Sequence, residues 1–269
     1  MTVARVIRRS LADVIEQFEL DGDVIVTPRR IAEVLEDFGR EADPRRVAYL
    51  LQRDGWLGSL RTRGAWEFLP AARGGPYSSG DRFLELRAQL AVQPKWPGVL
   101  AMESAASVLG LAQRLPEREV LALPEGVPLA KALAGEWRTV ALRLGPDGQT
   151  RVAGLPSWNL EGLIVGIATR PAAYRDTPGL GQWLTQGTLA PDADRILRLL
   201  ATAKPGTRQR AAYLLKAAGA AEAAHIVVEH YPATATAWLG PRRAGGRYDP
   251  LTKVSDTMLA RYLDVGGGA

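Results

Sequence analysis

The sequence predicts an α+β protein in which an N-terminal winged helix-turn-helix is followed by a mixed α/β, mostly helical C-terminal domain. Three observations carry this expectation. Two cap-then-proline signals, Thr27-Pro28 and Asp43-Pro44, each open a run with apolar residues at helical spacing. Two β-like runs, Trp56 to Leu60 and Ala65 to Leu69, bracket the basic, glycine-containing turn Arg61-Thr62-Arg63-Gly64. A stretch rich in Pro, Gly, Ala and Ser then lacks periodicity, which sets the domains at 1–70 and 81–269 with a linker at 71–80.

The elements follow in order. Ile7, Leu11, Val14, Ile15 and Phe18 make a first amphipathic helix, and Val24 to Val26 adds a short strand to the ribbon. After Thr27-Pro28, Ile31, Val34, Leu35 and Phe38 fall at i, i+3, i+4 and i+7. The second cap opens a helix from about Arg45 to Asp54, which Gly55 stops. On it Val47, Leu50 and Leu51 share one side, while Arg45, Arg46, Tyr49, Gln52 and Arg53 fill the other with no acidic residue among them. The second domain is expected to open with a helix from about Asp81, then Met102 to Leu109. Next come a strand at Glu119 to Leu123, a short helix at Pro128 to Ala134 and a strand at Trp137 to Leu144. Val152 to Leu155 reads as another strand, Gly145-Pro146-Asp147-Gly148 as a hairpin turn, and Asn159 to Ala168 as an apolar helix. From Gln182 the pattern is mainly helical (Ala193 to Ala203, Thr207 to Ala218, Ala220 to His230), with turns at Pro241 to Pro250 before an amphipathic piece, Val254 to Leu263.

The residue types on the second helix suit a DNA duplex. Arg neutralises phosphates and pairs with guanine in the major groove, and Gln pairs with adenine. Arg61 and Arg63 at the wing tip would follow phosphate or the adjacent minor groove. Thr27, Arg29 and Arg30, at the start of the first helix of the pair, would clamp backbone phosphate with the helix dipole. A solvated basic face and a protein-interaction module are the alternatives for the same residues.

Composition bounds the reading. The 269 residues suffice for about two domains, and 46% hydrophobic with 23% charged residues is ordinary for a soluble globular chain. The net charge of +5 permits a polyanionic partner without demonstrating one. The first 75 residues balance twelve Arg against twelve acidic residues, so the argument there rests on segregation; residues 195–269 carry the excess, with 11 basic against 5 acidic groups. Within that tail Lys204, Arg208, Arg210, Lys216, Arg242, Arg243 and Arg247 form a candidate second basic surface, for which a solvated face is the alternative. With no cysteine, disulfides and thiolate chemistry are excluded. Arg5, Arg8 and Arg9 are followed by no uninterrupted apolar segment, and no run approaches the ~18 residues that span a bilayer, so a cytoplasmic protein without a membrane partner is expected.

The order of several segments resembles the AbiEi family, the antitoxin and autorepressor component of bacterial abortive-infection toxin–antitoxin operons. Gly55-Trp56-Leu57 with Arg63-Gly64-Ala65-Trp66-Glu67-Phe68-Leu69-Pro70 is similar to that family's wing, and Ser104 to Leu111 to a helix at the start of its second domain. Arg170-Pro171, Tyr174-Arg175-Asp176 and Arg210 to Gly219 resemble its C-terminal helical part. The likeness spans roughly 10–250. Trp66 stands where a smaller aromatic is expected, and Lys253 to Asp264 does not align. The resemblance implies a winged helix that binds inverted repeats upstream of its own operon, and an antitoxin domain that neutralises a nucleotidyltransferase-like toxin, directly or indirectly. It implies no catalytic centre and no cofactor. A stand-alone winged-helix transcription regulator with a sensing or protein-interaction second domain is the alternative.

Enzyme chemistry finds little footing. No Walker A, HExxH, GxSxG or strand-following GxGxxG motif occurs, nor the Glu-x-Lys of a nuclease strand. His225 and His230, five apart, diverge by about 140° on a helix and do not share a metal. Asp176, with Arg175 beside it, Asp192 and Asp194 sit at helix starts where acidic caps are expected. Trp96, Trp137, Trp158, Trp183 and Trp238 read as core or interface residues.

Overall fold

The computed structural model describes residues 9, 11–73, 78–186, 189–243 and 245–263. Within them α1 (Ala12–Leu20) comes first and buries Val14, Ile15 and Phe18; Ile7, Arg5 and Arg8 lie outside the described residues. Strand β1 (Ile25–Val26) leads into α2 (Pro28–Asp37), followed by α3 (Pro44–Arg53), β2 (Leu57–Ser59) and β3 (Trp66–Phe68). The expected caps are in place. Thr27 Oγ1 accepts the Arg30 N–H, Asp43 accepts that of Arg45, and each helix starts on proline, whose missing N–H costs nothing there. The strands form an antiparallel sheet in the order β1-β3-β2, with Ile25 opposite Glu67 and Ser59 opposite Trp66. Phe18 and Phe68 meet edge-to-face at 5.5 Å in a core shared with Ile31, Val34, Val47, Ala48 and Leu51. Each large side chain so buried is worth about 1.5–3 kcal/mol.

The helix expected from Asp81 forms as α4 (Leu84–Val92), but it packs against β1 and β3. Chain contacts place everything described up to Trp96 in a first compact unit, together with Leu129–Ala134. Periodicity shows that such a segment is helical, but not which core it joins. Among its described residues the intervening stretch has a 3-10 turn at Ala71–Arg73, and its exit is fastened where the Ser79 N–H donates to Glu67 Oε1 at 2.6 Å.

The second unit begins with β4 (Val99–Leu100), α5 (Met102–Val108), β5 (Glu119–Leu123) and β6 (Trp137–Ala141). The helix expected over Pro128 to Ala134 is only a 3-10 turn at Lys131–Leu133, flanked by extended Ala130 and Ala134. Strands β7 (Gln149–Val152) and β8 (Leu155–Trp158) correct two further expectations. Gly145 to Gly148 is a 3-10 turn leading into β7, not a hairpin, and Val152 to Leu155 is not a strand but the hairpin itself. Ala153 and Gly154 both have positive φ, at 47° and 79°, the conformation that matches strand twist in a two-residue turn. The five strands order as β6-β5-β4-β8-β7, with β4–β8 and β5–β6 parallel and the other pairs antiparallel.

Helices then cover this core: α6 (Leu160–Thr169), α7 (Thr177–Thr185), α8 (Ala193–Leu200), α9 (Pro205–Ala217) and α10 (Ala221–His230). Asn159, Asp176 and Asp192 cap α6, α7 and α8, as their positions predict. The C-terminal stretch differs from expectation. Val254 to Leu263 is split between a strand and a single helical turn, and a small sheet forms from β9 (Ala237–Leu239), β10 (Arg247–Asp249) and β11 (Val254–Asp256), before α11 (Ala260–Leu263). Trp137, Trp158 and Trp183 are fully buried, whereas Trp96 and Trp238 are partly exposed. Among the described residues no helix is long and apolar enough to cross a membrane.

Candidate nucleic-acid interface

Helix α3 separates its two faces cleanly. Val47, Ala48 and Leu51 are buried, and Arg45, Arg46, Tyr49 and Arg53 are exposed. Arg45, Arg46 and Tyr49 have no side-chain partner within the protein among the described residues, and Tyr49 is 61% exposed. Arg53 pairs at 3.2 Å with its neighbour Asp54, whose side chain is only 8% exposed while that of Arg53 is 44% exposed. Gln52 is set at the edge of this face, its Nε2 donating to Ser59 Oγ at 2.7 Å and so tying α3 to β2.

The turn between β2 and β3 places Arg61 and Arg63 outward and buries Thr62 between them. Gly64 follows at φ 80°, where a side chain would be strained. A residue that sequence reasoning did not single out holds this turn. Glu85, on α4, accepts the backbone N–H groups of Arg61 (2.7 Å) and Thr62 (3.1 Å) and the Thr62 hydroxyl (2.9 Å), with Arg61 Nε 3.6 Å away. The contact joins positions more than twenty residues apart, and no local pattern announces it. Its effect is to fix the backbone that presents two guanidinium groups.

The residues opening α2 are placed differently from the phosphate clamp expected of them. Thr27 is buried and its hydroxyl serves as the cap. Arg30 is held by Asp23 at 2.8 Å and by Asp21, with Glu33 at 3.9 Å. Burial disfavours the charged Arg30, but Asp23 and Asp21 outweigh it and hold its pKa above the ordinary value. Only Arg29 is well exposed, and it pairs with Glu33 at 3.0 Å.

The basic residues of the C-terminal stretch do not make one free surface. Arg208 caps the end of α8, donating to the Leu200 (3.0 Å) and Ala201 (2.6 Å) carbonyls and lying over the Tyr231 ring. Arg210 donates to the carbonyls of Ala168 (2.6 Å) and Trp238 (3.2 Å), and burial lowers its pKa. Lys216 pairs with Asp249, and Arg243 donates to the Thr257 carbonyl at 3.3 Å. Arg247 too has an internal partner. Exposed Lys204 and Arg242 have no side-chain partner among the described residues. Guanidinium groups satisfy helix-end carbonyls well, and sequence alone does not separate that use from a solvated one.

Among the described residues no group of three or more His, Asp or Glu is placed to hold a metal ion. No family model matches the chain, and no curated protein matches it. A solved structure does: the crystal structure of the RV2827C protein from Mycobacterium tuberculosis matches 99% of this chain and 98% of its own, at 25% identity and a TM-score of 0.72. The chain shares a mixed α/β fold with that protein along nearly the whole length of both.

Proposed function

We propose that the chain is a sequence-specific DNA-binding regulator whose first unit works as a winged helix-turn-helix. Helix α3 enters the major groove, and the Arg61–Gly64 turn lies on the neighbouring backbone or minor groove. The observation that carries this reading is the outer face of α3, where Arg45, Arg46 and Tyr49 stand without internal partners among the described residues, on a unit whose other arginines are largely paired with carboxylates. Arg45 and Arg46 have the donors to read guanine edges or bind phosphate, Gln52 and Tyr49 border them, and Arg63 with Arg61 supplies the wing contacts.

The reading extends to an autorepressor and antitoxin on the strength of the ordered likeness to the AbiEi family. In that role the chain binds inverted repeats in its own promoter and neutralises a nucleotidyltransferase-like toxin, directly or indirectly. A gel-shift titration against its own upstream region, at two salt concentrations and with unrelated competitor DNA, tests the first part. Specific shifting that weakens steeply with salt is expected; equal, weak binding to both DNAs would reassign the first unit to protein interaction. Coexpression with the adjacent gene product tests the second part, and failure to rescue growth leaves a regulator alone.

A further inference from the structure

We propose that a cavity in the second unit binds a small phosphate monoester. The cavity is about 260 Å³ and is lined by four arginines, Arg114, Arg118, Arg138 and Arg175, above the buried side chains of Glu103 and Tyr174. They come from separate parts of one unit: Arg114 and Arg118 from the α5–β5 loop, Arg138 from β6, and Arg175 from the segment before α7.

The charges around Arg138 are unequal. Its side chain is only 12% exposed, and of its five N–H donors one bonds an internal acceptor among the described residues, Glu103. Glu103 is itself occupied, because it also accepts the backbone N–H groups of Arg175 and Asp176. Arg118 directs a donor at the Trp137 carbonyl (2.7 Å), and Arg114 and Arg175 have no side-chain partner among the described residues. Burial disfavours the charged Arg138; Glu103 supports it, Arg175 and Arg118 repel it, and its pKa falls below the ordinary value. The lining has two more carboxylates. Asp176 caps α7 through the Gly179 N–H at 3.0 Å, and Glu117 stands exposed on the rim.

A largely buried guanidinium with unused donors, on a cavity shared with three more, is matched by a compact dianion. A phosphate monoester offers three terminal oxygens, enough to take paired donors from more than one arginine, where a carboxylate offers two. Its single ester link lets the terminal group reach Arg138 at the floor, whereas a phosphodiester within a duplex carries chain on both sides. Leu115 and Ala112 give the rim an apolar edge for the carbon part. The volume lies below the ~300–1,000 Å³ of sites for drug-sized ligands, which fits a small one.

Titration calorimetry on the full chain, at constant ionic strength, tests the site with inorganic phosphate, glycerol 3-phosphate and glycerol. Saturable binding of both phosphates and none of glycerol is expected. The double variant Arg114→Ala/Arg175→Ala, altered only at exposed positions, is expected to weaken binding at least about tenfold. Arg138→Met should abolish it. Arg45→Ala/Arg46→Ala should leave it unchanged, which keeps the result separate from DNA binding. The absence of saturable binding, equal binding of glycerol, or an unaffected double variant would overturn the site. Displacement of glycerol 3-phosphate by unrelated duplex DNA would overturn it too, in favour of a nucleic-acid surface.

Discussion

Glu85 accepts three hydrogen bonds from two adjacent residues of one turn, so its loss acts on the presentation of Arg61 and Arg63. Glu85→Ala is expected to cost about 2 kcal/mol, since bonds to charged acceptors are the stronger kind and two backbone N–H groups lose their partner. If the first unit binds DNA as proposed, operator affinity should fall with it while the α3 face is left intact; an unchanged gel shift would make the turn irrelevant to binding. Substitution on α3 has a different signature. If Arg45 reads a base, Arg45→Ala costs about 1–3 kcal/mol on the operator and relaxes preference at one position; if it meets phosphate, all sequences weaken together. Asp249 supplies a pH test away from DNA. Burial opposes its ionised form, but Lys216 and Thr252 donors outweigh this and hold its carboxyl below the usual range. The unfolded chain therefore takes up the proton first. The stabilisation is whole above about pH 4, the ordinary carboxylate value, and is lost as pH falls through the depressed folded value. Asp249→Asn should lower the neutral melting temperature and flatten the acid limb of stability against pH; parallel limbs in the two proteins would show that the pair does not contribute.

Helix α6 is the element with least room. A Cβ at Gly166 would stand 2.3 Å from the Trp158 ring, and one at Gly162 would stand 2.0 Å from the Gly148 carbonyl oxygen. Trp158 is fully buried and cannot retreat, so Gly166→Ala is expected to destabilise by about 1–3 kcal/mol or more despite its better helix propensity. Thermal melting reads the effect, and a gain in stability would mean the ring moves freely. The two glycines also show where sequence is informative. The bounds of α2, α3 and α6 were legible because Thr27-Pro28, Asp43-Pro44 and Asn159 act on the next few residues, within reach of a local pattern. The hairpin at Ala153-Gly154 was not, because alanine seldom takes positive φ and Gly145-Pro146-Asp147-Gly148 has stronger turn chemistry. The C-terminal sheet was missed for another reason. Its strands are three residues each, too short to show alternation, and β9 pairs with β11 across the intervening β10. The candidate interface divides the same way. The face of α3 follows from helical period, whereas Glu85 reaches the Arg61–Thr62 turn only through tertiary folding, as the four cavity arginines of the second unit reach one another.

At the scale of the molecule, the boundary of the first unit decides what can be studied alone. A cut after Gly80 keeps every element of the expected winged helix but removes α4, and with it Glu85 and the fully buried Leu86 and Ala88. A cut after Trp96 keeps them. It still lacks Leu129–Ala134, which belongs to the same unit and includes Leu133, another fully buried side chain. Stability should therefore rise in steps. Residues 1–80 lose α4's burial against β1 and β3 together with the turn anchor, and are expected to unfold at low temperature without a sharp transition. Residues 1–96 should fold cooperatively and, on the proposed function, bind the operator, but melt below the value set by the intact unit. In the full chain, Leu133→Ala isolates the last step: a Leu→Ala change at a buried site costs about 2–5 kcal/mol. Hydrogen exchange should report that loss in amides of α2, α4 and β3 and spare those of β5 and α6, because local openings follow cooperative units. Equal melting temperatures for the 1–80 and 1–96 fragments would move the boundary back to the linker, and protection lost in β5 and α6 instead would assign Leu133 to the other core.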